Sequence, residues 1–375
     1  MRIQSMTGYA AACCAAAMSV SPARGQVSDC GTEITPVEAA ELARLEPLYQ
    51  AAPQVARGEP FWVAVTMHII RRTDGTGGLP ADSICEGMGD MDEMFSVAGI
   101  QFFMSQPIDY IDSDAFYFDV DTLSEINVMR TMNWVPNTIN IYFTPNLAYE
   151  NGSLCGISAF TSSSVQSIAM RNSCMPPTNH STLSHEVGHY FNLYHTHESA
   201  FGDELVNGSN CSVAGDVVCD TPADPTLGTG NVGSFPGCIY VGGETDPNGD
   251  PYAPNTKNLM SYSRKECRDH FSASQQVRSN TTLVNLRSSY MHEVPNGPPT
   301  ECSACADIID GDVNNDGQID IFDILCELDG FIGVFTTCPL AALDVACPPD
   351  AVIDVFDILA VLDAFAGEAP CACGG

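Results

Sequence analysis

Two kinds of hydrophobic pattern occur along the central part of the chain. Continuous runs rich in β-branched and aromatic residues at 61–71 and 138–144 are typical of buried strands. Apolar residues at helical spacing occur at 90–97 and, closer to the N-terminus, at 38–51. The pattern therefore predicts a mixture of strands and helices.

Proline and glycine cluster at residues 295–300 (PNGPPT), which ends the central region and predicts a linker at 293–306. Beyond it, the string IDIFDIL at 319–325 recurs as IDVFDIL at 353–359, and both copies continue into a leucine-rich helical pattern. The repeat predicts a separate small α-helical module at 307–375.

Composition limits the partners and the compartment. The sequence has 14 basic and 47 acidic side chains and a formal net charge of −33, which repels nucleic acid and anionic membrane surfaces and favours cations. Its 17 cysteines favour an oxidising compartment. No apolar run reaches the roughly 18 residues that a membrane span needs. We expect no nucleic-acid partner and no membrane span.

The N-terminus has the features of an export signal. Arg2 supplies a positive charge, residues 9–20 form an apolar stretch, and small residues at 21–23 allow cleavage. We expect residues 1–25 to be a signal peptide and the protein to be secreted. The alternative is a disordered or helical N-terminal tail.

The most informative stretch is HEVGHYFNLYH, which places His185 and His189 four residues apart. On a helix this spacing puts both imidazoles on one face, where they can bind one zinc ion. Glu186 lies beside them and can take a proton from a water on the metal. His195 is the expected third ligand if the chain turns sharply near Asn192, because asparagine tolerates a left-handed backbone.

A second choice for the third ligand follows directly in the sequence. His197 and Glu198 lie within three residues of His195, and the glutamate would give a site of two histidines and one carboxylate. Catalytic zinc usually has three protein ligands and one open position. Either ligand set therefore predicts a hydrolytic site.

The sequence around this motif resembles the pappalysin and cytophagalysin family of metzincin zinc endopeptidases. HEVGHYFNLYHTHE is followed by GDVVCDTP at 215–222 and NLMSY at 258–262. Cys267, Phe271 and then Gln275 and Arg278 complete the similarity. The resemblance implies an α+β fold at residues 60–292, with a twisted sheet above the cleft and the active-site helix beneath it.

The resemblance also implies roles for residues outside the histidine motif. Met260 would form a hydrophobic floor beneath the zinc, and Tyr262 would stabilise the oxyanion during attack on the peptide carbonyl. Asp216 and Thr221 match positions that bind a structural calcium in relatives, with a solvated acidic turn as the alternative. Glu266 matches a substrate-binding position and would favour a basic residue after the scissile bond, with a solvated loop glutamate as the alternative.

Cysteines are expected to serve two purposes. Cys211, Cys219, Cys238 and Cys267 follow the active-site motif, where two disulfides would hold the loops, and the sequence leaves three pairings open. Cys30 lies in a stretch, residues 26–59, that resembles the prosegment of the family. Its thiolate could fill the fourth zinc position and keep the enzyme latent, and a disulfide with Cys85 or another partner is the alternative.

The first copy of the C-terminal repeat contains a twelve-residue calcium loop with glycine at its sixth position. Its expected ligands are Asp312, Asn314, Asp316, Gln318, Asp320 and Asp323. Aspartate at the last position, and a single helix after each loop, resemble dockerin modules, which bind cohesin-like partners. Pro348 and Pro349 interrupt the second copy and leave its calcium binding open, and an appendage without a partner is the alternative.

Together these features predict a secreted zinc endopeptidase that uses zinc and calcium and acts on proteins or peptides. A rival prediction is a non-catalytic calcium-dependent adhesion or scaffold-docking protein with a vestigial zinc site. Glu186 and Tyr262 favour the enzyme, because a purely structural zinc site needs neither a base nor an open ligand position. A zinc hydrolase of non-peptide amides is a further alternative.

Overall fold

The computed structural model describes residues 27–52, 60–149 and 152–292, together with residues 324–325, 328, 358–359 and 361–362 of the C-terminal module. The signal peptide predicted at 1–25, the linker predicted at 293–306 and the calcium loop at 312–323 lie outside the described residues. The architecture given below therefore concerns the N-terminal segment and the predicted catalytic region.

The strands of the described chain form one mixed sheet. They are β1 (Val27–Cys30), β2 (Phe61–Arg71), β3 (Ile100–Met104), β4 (Asp109–Asp112), β5 (Ile139–Thr144), β6 (Ala148–Tyr149), β7 (Gly152–Ile157), β8 (Ile168–Arg171) and β9 (Met291–His292). The main order is β1-β7-β8-β5-β2-β3, with β4 and β9 also paired to β2 and β6 to β7. β2 runs parallel to β3, β4 and β5, whereas β7 runs antiparallel to β8.

Helices connect and cover these strands. They are α1 (Pro36–Leu42), α2 (Glu46–Gln50), α3 (Ala81–Phe95), α4 (Asp114–Phe118), α5 (Leu123–Met129), α6 (Thr182–Tyr190) and α7 (Ala273–Leu286). Short 3₁₀ helices lie at Ser96–Ala98, Asn172–Cys174, Lys265–Cys267 and Ser288–Tyr290. Between α6 and the third of these, the described chain consists of turns and isolated bridges.

Hydrophobic pattern explains the centre of the sheet. In β2 every side chain from Val63 to Ile70 is buried, which is expected for a central strand covered on both faces. The strand predictions at 61–71 and 138–144 are confirmed by β2 and β5. The main core packs one face of the sheet against α3, α6 and α7, and Phe95 lies at its centre between Phe102, Phe191 and Phe271.

Two helix predictions had wrong bounds. The helix predicted at 90–97 is the end of α3, which begins at Ala81, because Gly87 and Gly89 weaken the helical signal of its first turns. The helix predicted at 38–51 is divided into α1 and α2, and Pro47 in the first turn of α2 favours a new helix start there.

Disulfides hold the loops around the sheet. Cys211 pairs with Cys219 and Cys238 with Cys267, so the two predicted crosslinks are confirmed and their pairing is decided. A third disulfide, Cys155–Cys174, was not predicted and joins β7 to the 3₁₀ helix that follows β8. Cys30 carries a buried thiol, so the alternative in which it forms a disulfide is wrong.

The N-terminal segment is part of this architecture. β1 lies parallel to β7 and extends the sheet at that edge, with Cys30 opposite Gly156. Leu42 of α1 is fully buried in a small cluster with Phe160 and Tyr194. Residues 27–50 therefore cover the edge of the sheet that lies next to α6.

Candidate metal centre

Helix α6 and the turn after it bring three imidazoles together. His185 and His189 stand one turn apart, and their Nε2 atoms are 3.2 Å from each other. The helix ends at Tyr190, and Asn192 adopts a left-handed φ of 60°, as the sequence predicted for a sharp turn. The turn returns His195 to the helix, with its Nε2 atom 3.0 Å from that of His189.

Hydrogen bonds from Nδ1 to backbone carbonyls hold two of these rings in the tautomer that leaves Nε2 able to bind a metal. Nδ1 of His185 donates to the carbonyl of Leu259 at 2.6 Å, and Nδ1 of His189 donates to the carbonyl of Leu193 at 2.8 Å, which leaves both Nε2 atoms as acceptors. Burial lowers the pKa of His189 to about 3, and burial together with the neighbouring His189 lowers the pKa of His185 and His195 well below the usual value. All three rings are therefore neutral, as metal ligands must be.

Cys30 completes the donor set from the other side. Its Sγ lies 3.5 Å from Nε2 of His189, and its ligand atom and those of the three histidines all lie within 4.8 Å of one another. Tetrahedral zinc, with bonds of about 2.1 Å to nitrogen and about 2.3 Å to sulfur, places nitrogen ligands roughly 3.4 Å apart and sulfur and nitrogen roughly 3.6 Å apart. Three neutral imidazoles and one thiol at the observed separations fit that ion.

Glu186 lies between the helix and the sheet edge and is fully buried. Its Oε2 accepts a hydrogen bond from Oγ1 of Thr32 at 3.2 Å, and its main-chain carbonyl accepts one from Oγ of Ser158 at 2.6 Å. A Cβ atom on Gly156 would lie 2.6 Å from the carboxylate, so the absence of a side chain there lets Glu186 pack against β7.

Met260 packs against helix α6, and Tyr262 lies beside His195. Met260 is fully buried, and its sulfur packs so closely against α6 that a Cβ atom on Gly188 would lie 2.6 Å from it. The ring centre of Tyr262 is 4.7 Å from that of His195, and its hydroxyl donates to the carbonyl of Cys30 at 3.2 Å.

Neither second-choice ligand belongs to the cluster of donor atoms found among the described residues. His197 stacks on His195 with ring centres 5.0 Å apart, and burial lowers its pKa to about 4. Oε1 of Glu198 accepts the backbone N–H groups of Ser199 and Ala200. Both residues support the loop after the third histidine.

The residues expected to bind calcium lie in a buried acidic turn. Oγ1 of Thr221 lies 2.9 Å from each carboxylate oxygen of Asp216, and burial raises the pKa of that aspartate well above its usual value, with a further contribution from Glu204. Oε2 of Glu204 is buried without a hydrogen-bond partner, and burial raises its pKa to about 7. Glu204, which the sequence did not single out, therefore adds a second carboxylate to this turn.

Glu266 occupies the 3₁₀ helix that follows the Met260 turn. Its side chain is half exposed, and its Oε1 lies 3.7 Å from Nη1 of Arg264. This cation partly neutralises the carboxylate. The six expected ligands of the C-terminal calcium loop lie outside the described residues.

Sequence reasoning missed the contacts that the N-terminal segment makes around the site. Thr32 contacts Glu186, and Tyr49 accepts a hydrogen bond from the side-chain amide of Asn192 at 2.9 Å. Glu46 forms a bidentate ion pair with Arg278. The only local signal for these contacts was the position of Thr32 two residues after Cys30, since the other partners are far apart in sequence.

Comparison with known proteins identifies the type of domain. Residues 156–284 match the peptidase M43 family model, described as pregnancy-associated plasma protein-A. This range includes Gly156, the three histidines and Met260. This part of the chain is similar to pappalysin-type peptidase domains.

Curated relatives of similar length are fungal enzymes. An extracellular metalloprotease of Colletotrichum graminicola is 26% identical over 276 residues, which cover 70% of this chain and 92% of the relative. Another from Sordaria macrospora is 24% identical over 305 residues, covering 77% and 99% of the two chains. The protein is thus a metalloendopeptidase that requires zinc, and it is extracellular.

A solved structure shares the fold. A promirolysin mutant of Tannerella forsythia superposes with a TM-score of 0.51 at 17% identity, over 70% of this chain and 97% of that one. The enzyme class disfavours the adhesion or scaffold alternative. Within the ranges that the structure describes, no helix combines the length and apolar character that a membrane crossing requires.

Proposed function

We propose that this enzyme hydrolyses peptide bonds with Glu186 as its general base and with zinc on His185, His189 and His195. The observation that carries the proposal is the convergence of three neutral imidazoles beside a fully buried carboxylate. Nε2 of His189 lies 3.2 Å from Nε2 of His185 and 3.0 Å from Nε2 of His195. A structural zinc site has no use for this carboxylate.

The side chains divide the chemical work. Zinc, when bound, acts as a Lewis acid that polarises the peptide carbonyl and makes a water nucleophilic at neutral pH. Glu186 takes the proton of the attacking water and passes it to the leaving amine. Tyr262, whose hydroxyl reaches the cleft beside His195, donates a hydrogen bond to the oxyanion after the N-terminal segment has left. Met260 supports the helix from below.

Latency follows from the same donor set. Cys30 would be the fourth ligand of the zinc ion, and its thiol would then take the coordination position that water and the substrate carbonyl need. Residues 26–59 are then a prosegment whose removal activates the enzyme. In this state burial, and then the negative charge of Glu186, raise the pKa of the Cys30 thiol, so a bound cation is required to hold it as a thiolate.

Substrates are proteins or peptides. Glu266 provides a carboxylate that would favour arginine or lysine after the scissile bond, and its ion pair with Arg264 would make that preference moderate. We assign structural calcium to Asp216 and Thr221, supported by the burial of the aspartate, which raises the pKa of its carboxyl group. The C-terminal loop would bind a further calcium, and its module would dock onto a cohesin-like or cell-surface partner.

Cleavage of an unfolded protein by the prosegment-free enzyme tests the catalytic proposal. Glu186→Gln should lower kcat/KM by about 10²–10⁴-fold without loss of zinc, because the amide cannot accept the proton. Tyr262→Phe should lower kcat by about 10²-fold. Zinc content is measured alongside the kinetics.

Glu198→Gln is the matched control, since Glu198 is a nearby carboxylate outside the donor cluster, and it should keep both zinc and activity. Activity that survives in Glu186→Gln would remove the mechanism. Zinc loss in Glu198→Gln would replace the ligand set by two histidines and a glutamate.

A further inference from the structure

The tripeptide Cys30-Gly31-Thr32 crosses the cleft between β7 and α6. Its thiol faces the histidines, and the backbone N–H of Thr32 donates to Cys30 Sγ at 3.2 Å, a bond that stabilises negative charge on sulfur. Two residues along, the Thr32 side chain contacts Glu186, whose carboxylate also interacts with the Cys30 thiol. The tripeptide therefore contacts both the histidine cluster and the proposed general base.

The Thr32 hydroxyl is fully used in this position. It accepts the backbone N–H of Ser158 at 2.7 Å and donates to Oε2 of Glu186 at 3.2 Å. A hydroxyl has one proton to donate, so the acceptor of that proton is the carboxylate. The Thr32 residue is 4% exposed and Glu186 is fully buried, so water does not compete with this bond.

Packing and strand pairing hold the threonine in place. A Cβ atom on Gly31 would lie 2.6 Å from Cδ1 of Leu154, so the backbone of the tripeptide runs close to β7 and a side chain there would displace the leucine. The pairing of Cys30 with Gly156 sets the register of β1, and Gly31 N donates to the carbonyl of Gly156 at 2.9 Å. A shift by one residue would move the hydroxyl away from Glu186.

We propose that Thr32 is a second lock, which holds the general base while Cys30 holds the metal. This inference rests on the proposed role of Glu186. The hydrogen bond from the Thr32 hydroxyl occupies Oε2, one of the two carboxylate oxygens that could otherwise accept a proton from water. The same hydroxyl covers the N–H of Ser158, a backbone donor at the sheet edge beside the base. Loss of the thiol alone therefore leaves the enzyme partly latent.

Access to the Cys30 thiol tests the lock without catalysis. The full-length, zinc-loaded chain is treated with iodoacetamide, and alkylation of Cys30 is followed by peptide mass spectrometry. Thr32→Val, which is isosteric but lacks the hydroxyl, should accelerate alkylation about tenfold, and Thr32→Ser, which keeps the hydroxyl, should stay within about twofold of the native rate.

A double-mutant cycle assigns the effect to the Thr32–Glu186 contact. In the Glu186→Ala background, Thr32→Val should accelerate alkylation at most about threefold, since only the Ser158 bond remains to be lost. An equal acceleration in both backgrounds would show that Thr32 acts through packing or through Ser158, and would overturn the proposal.

An activity measurement gives the second readout. Full-length Cys30→Ala should hydrolyse a quenched fluorescent peptide at less than a tenth of the rate of the prosegment-free enzyme, and adding Thr32→Val should raise that rate several-fold, with intact mass checked at the end of the assay. Full activity of Cys30→Ala would contradict the second lock. An inactive prosegment-free enzyme would instead contradict the proposed function. The alkylation cycle measures no catalysis, so its result on the Thr32–Glu186 contact would still stand.

Discussion

Asn192 determines where the third histidine lies. Its φ of 60° reverses the chain after α6, and its side-chain Oδ1 accepts the backbone N–H of Thr161 at 2.9 Å. Its Nδ2 donates to Tyr49, and its carbonyl accepts Nε of Arg278 at 2.7 Å. Glycine would adopt the same backbone conformation without cost, but it would provide none of the hydrogen bonds that the side-chain amide of Asn192 makes. Asparagine therefore combines the turn with attachment to the N-terminal segment.

Gly188 is the residue at which the side chain of Met260 meets helix α6. In Gly188→Ala the new methyl group would lie 2.6 Å from the sulfur of Met260 and 3.3 Å from Phe271. We expect this overlap to lower the free energy of unfolding by about 1–3 kcal/mol and to lower kcat/KM, because Met260 or α6 must shift. Denaturant unfolding and peptide hydrolysis measure the two effects.

Gly89 provides the control for that substitution. It lies inside α3 and is exposed, and a Cβ atom there meets no atom within 4 Å. Gly89→Ala should raise the free energy of unfolding by up to about 1 kcal/mol through helix propensity and leave activity unchanged. If Gly188→Ala and Gly89→Ala changed stability and activity alike, the contact with Met260 would not be the cause of the losses in Gly188→Ala.

At the scale of elements, helix α2 is fastened to helix α7 behind the metal centre. Glu46 and Arg278 form two hydrogen bonds of 2.9 and 2.7 Å, and their side chains are 13% and 3% exposed. The Tyr49 ring lies 4.0 Å from the guanidinium carbon of Arg278, and its hydroxyl is 3.0 Å from that of Thr282. Because Arg278 also holds the Asn192 carbonyl, the N-terminal helices support the turn that positions His195.

Glu46→Gln should weaken this attachment. Removal of one charge leaves the buried guanidinium without its carboxylate, and we expect the full-length chain to lose about 3 kcal/mol of unfolding free energy. Limited proteolysis should also release residues 27–52 faster than in the native chain. Both quantities are measured on the zinc-loaded protein.

Asp112→Asn is the corresponding change at an exposed pair. Asp112 binds Arg71 at 2.9 Å, but their side chains are 41% and 26% exposed. Solvent screening should limit its effect to about 0–1 kcal/mol. If Glu46→Gln lowered the free energy of unfolding no more than Asp112→Asn, burial of the Glu46–Arg278 pair would not add to its contribution to stability.

The whole molecule is strongly acidic, and several carboxyl groups are buried in it. Burial raises the pKa of Glu204 to about 7 and that of Asp224 to about 6, and it raises the pKa of Asp216 well above its usual value. A carboxyl group with a higher pKa in the folded than in the unfolded chain lowers stability as the pH rises from the unfolded to the folded value. Without a cation, these groups therefore lower stability between about pH 4 and pH 7.

Calcium should reverse that loss. In buffer with a calcium-selective chelator, Tm should fall as the pH rises from 5 to 8, and added calcium should raise Tm more at pH 8, where protons no longer compete for the carboxylates. Asp216→Asn should abolish most of the calcium effect, as measured by differential scanning calorimetry. An undiminished calcium shift in that variant would assign the effect to another site, such as the C-terminal loop.

Much of the centre was predictable because its parts are local. His185, Glu186 and His189 lie on a single helical turn, where spacing alone decides which side chains share a face. His195 depended on one further condition, the left-handed Asn192. In the same way, the apolar runs of β2 and β5 identified the central strands. The start of α3 was not recognised, because its two glycines weaken the helical pattern and tertiary packing is needed to stabilise the helix there.

The sequence by itself determined the three-histidine motif, the mixture of strands and helices and the acidic character of the molecule, since each follows from residue type and short-range spacing. Only the tertiary structure decided which residues distant in sequence contact the histidines and Glu186. Cys30 is 159 positions from His189, and Thr32 is 154 positions from Glu186. The disulfide pairing was decided in the same way, because such contacts depend on strand order and register, which local pattern does not encode.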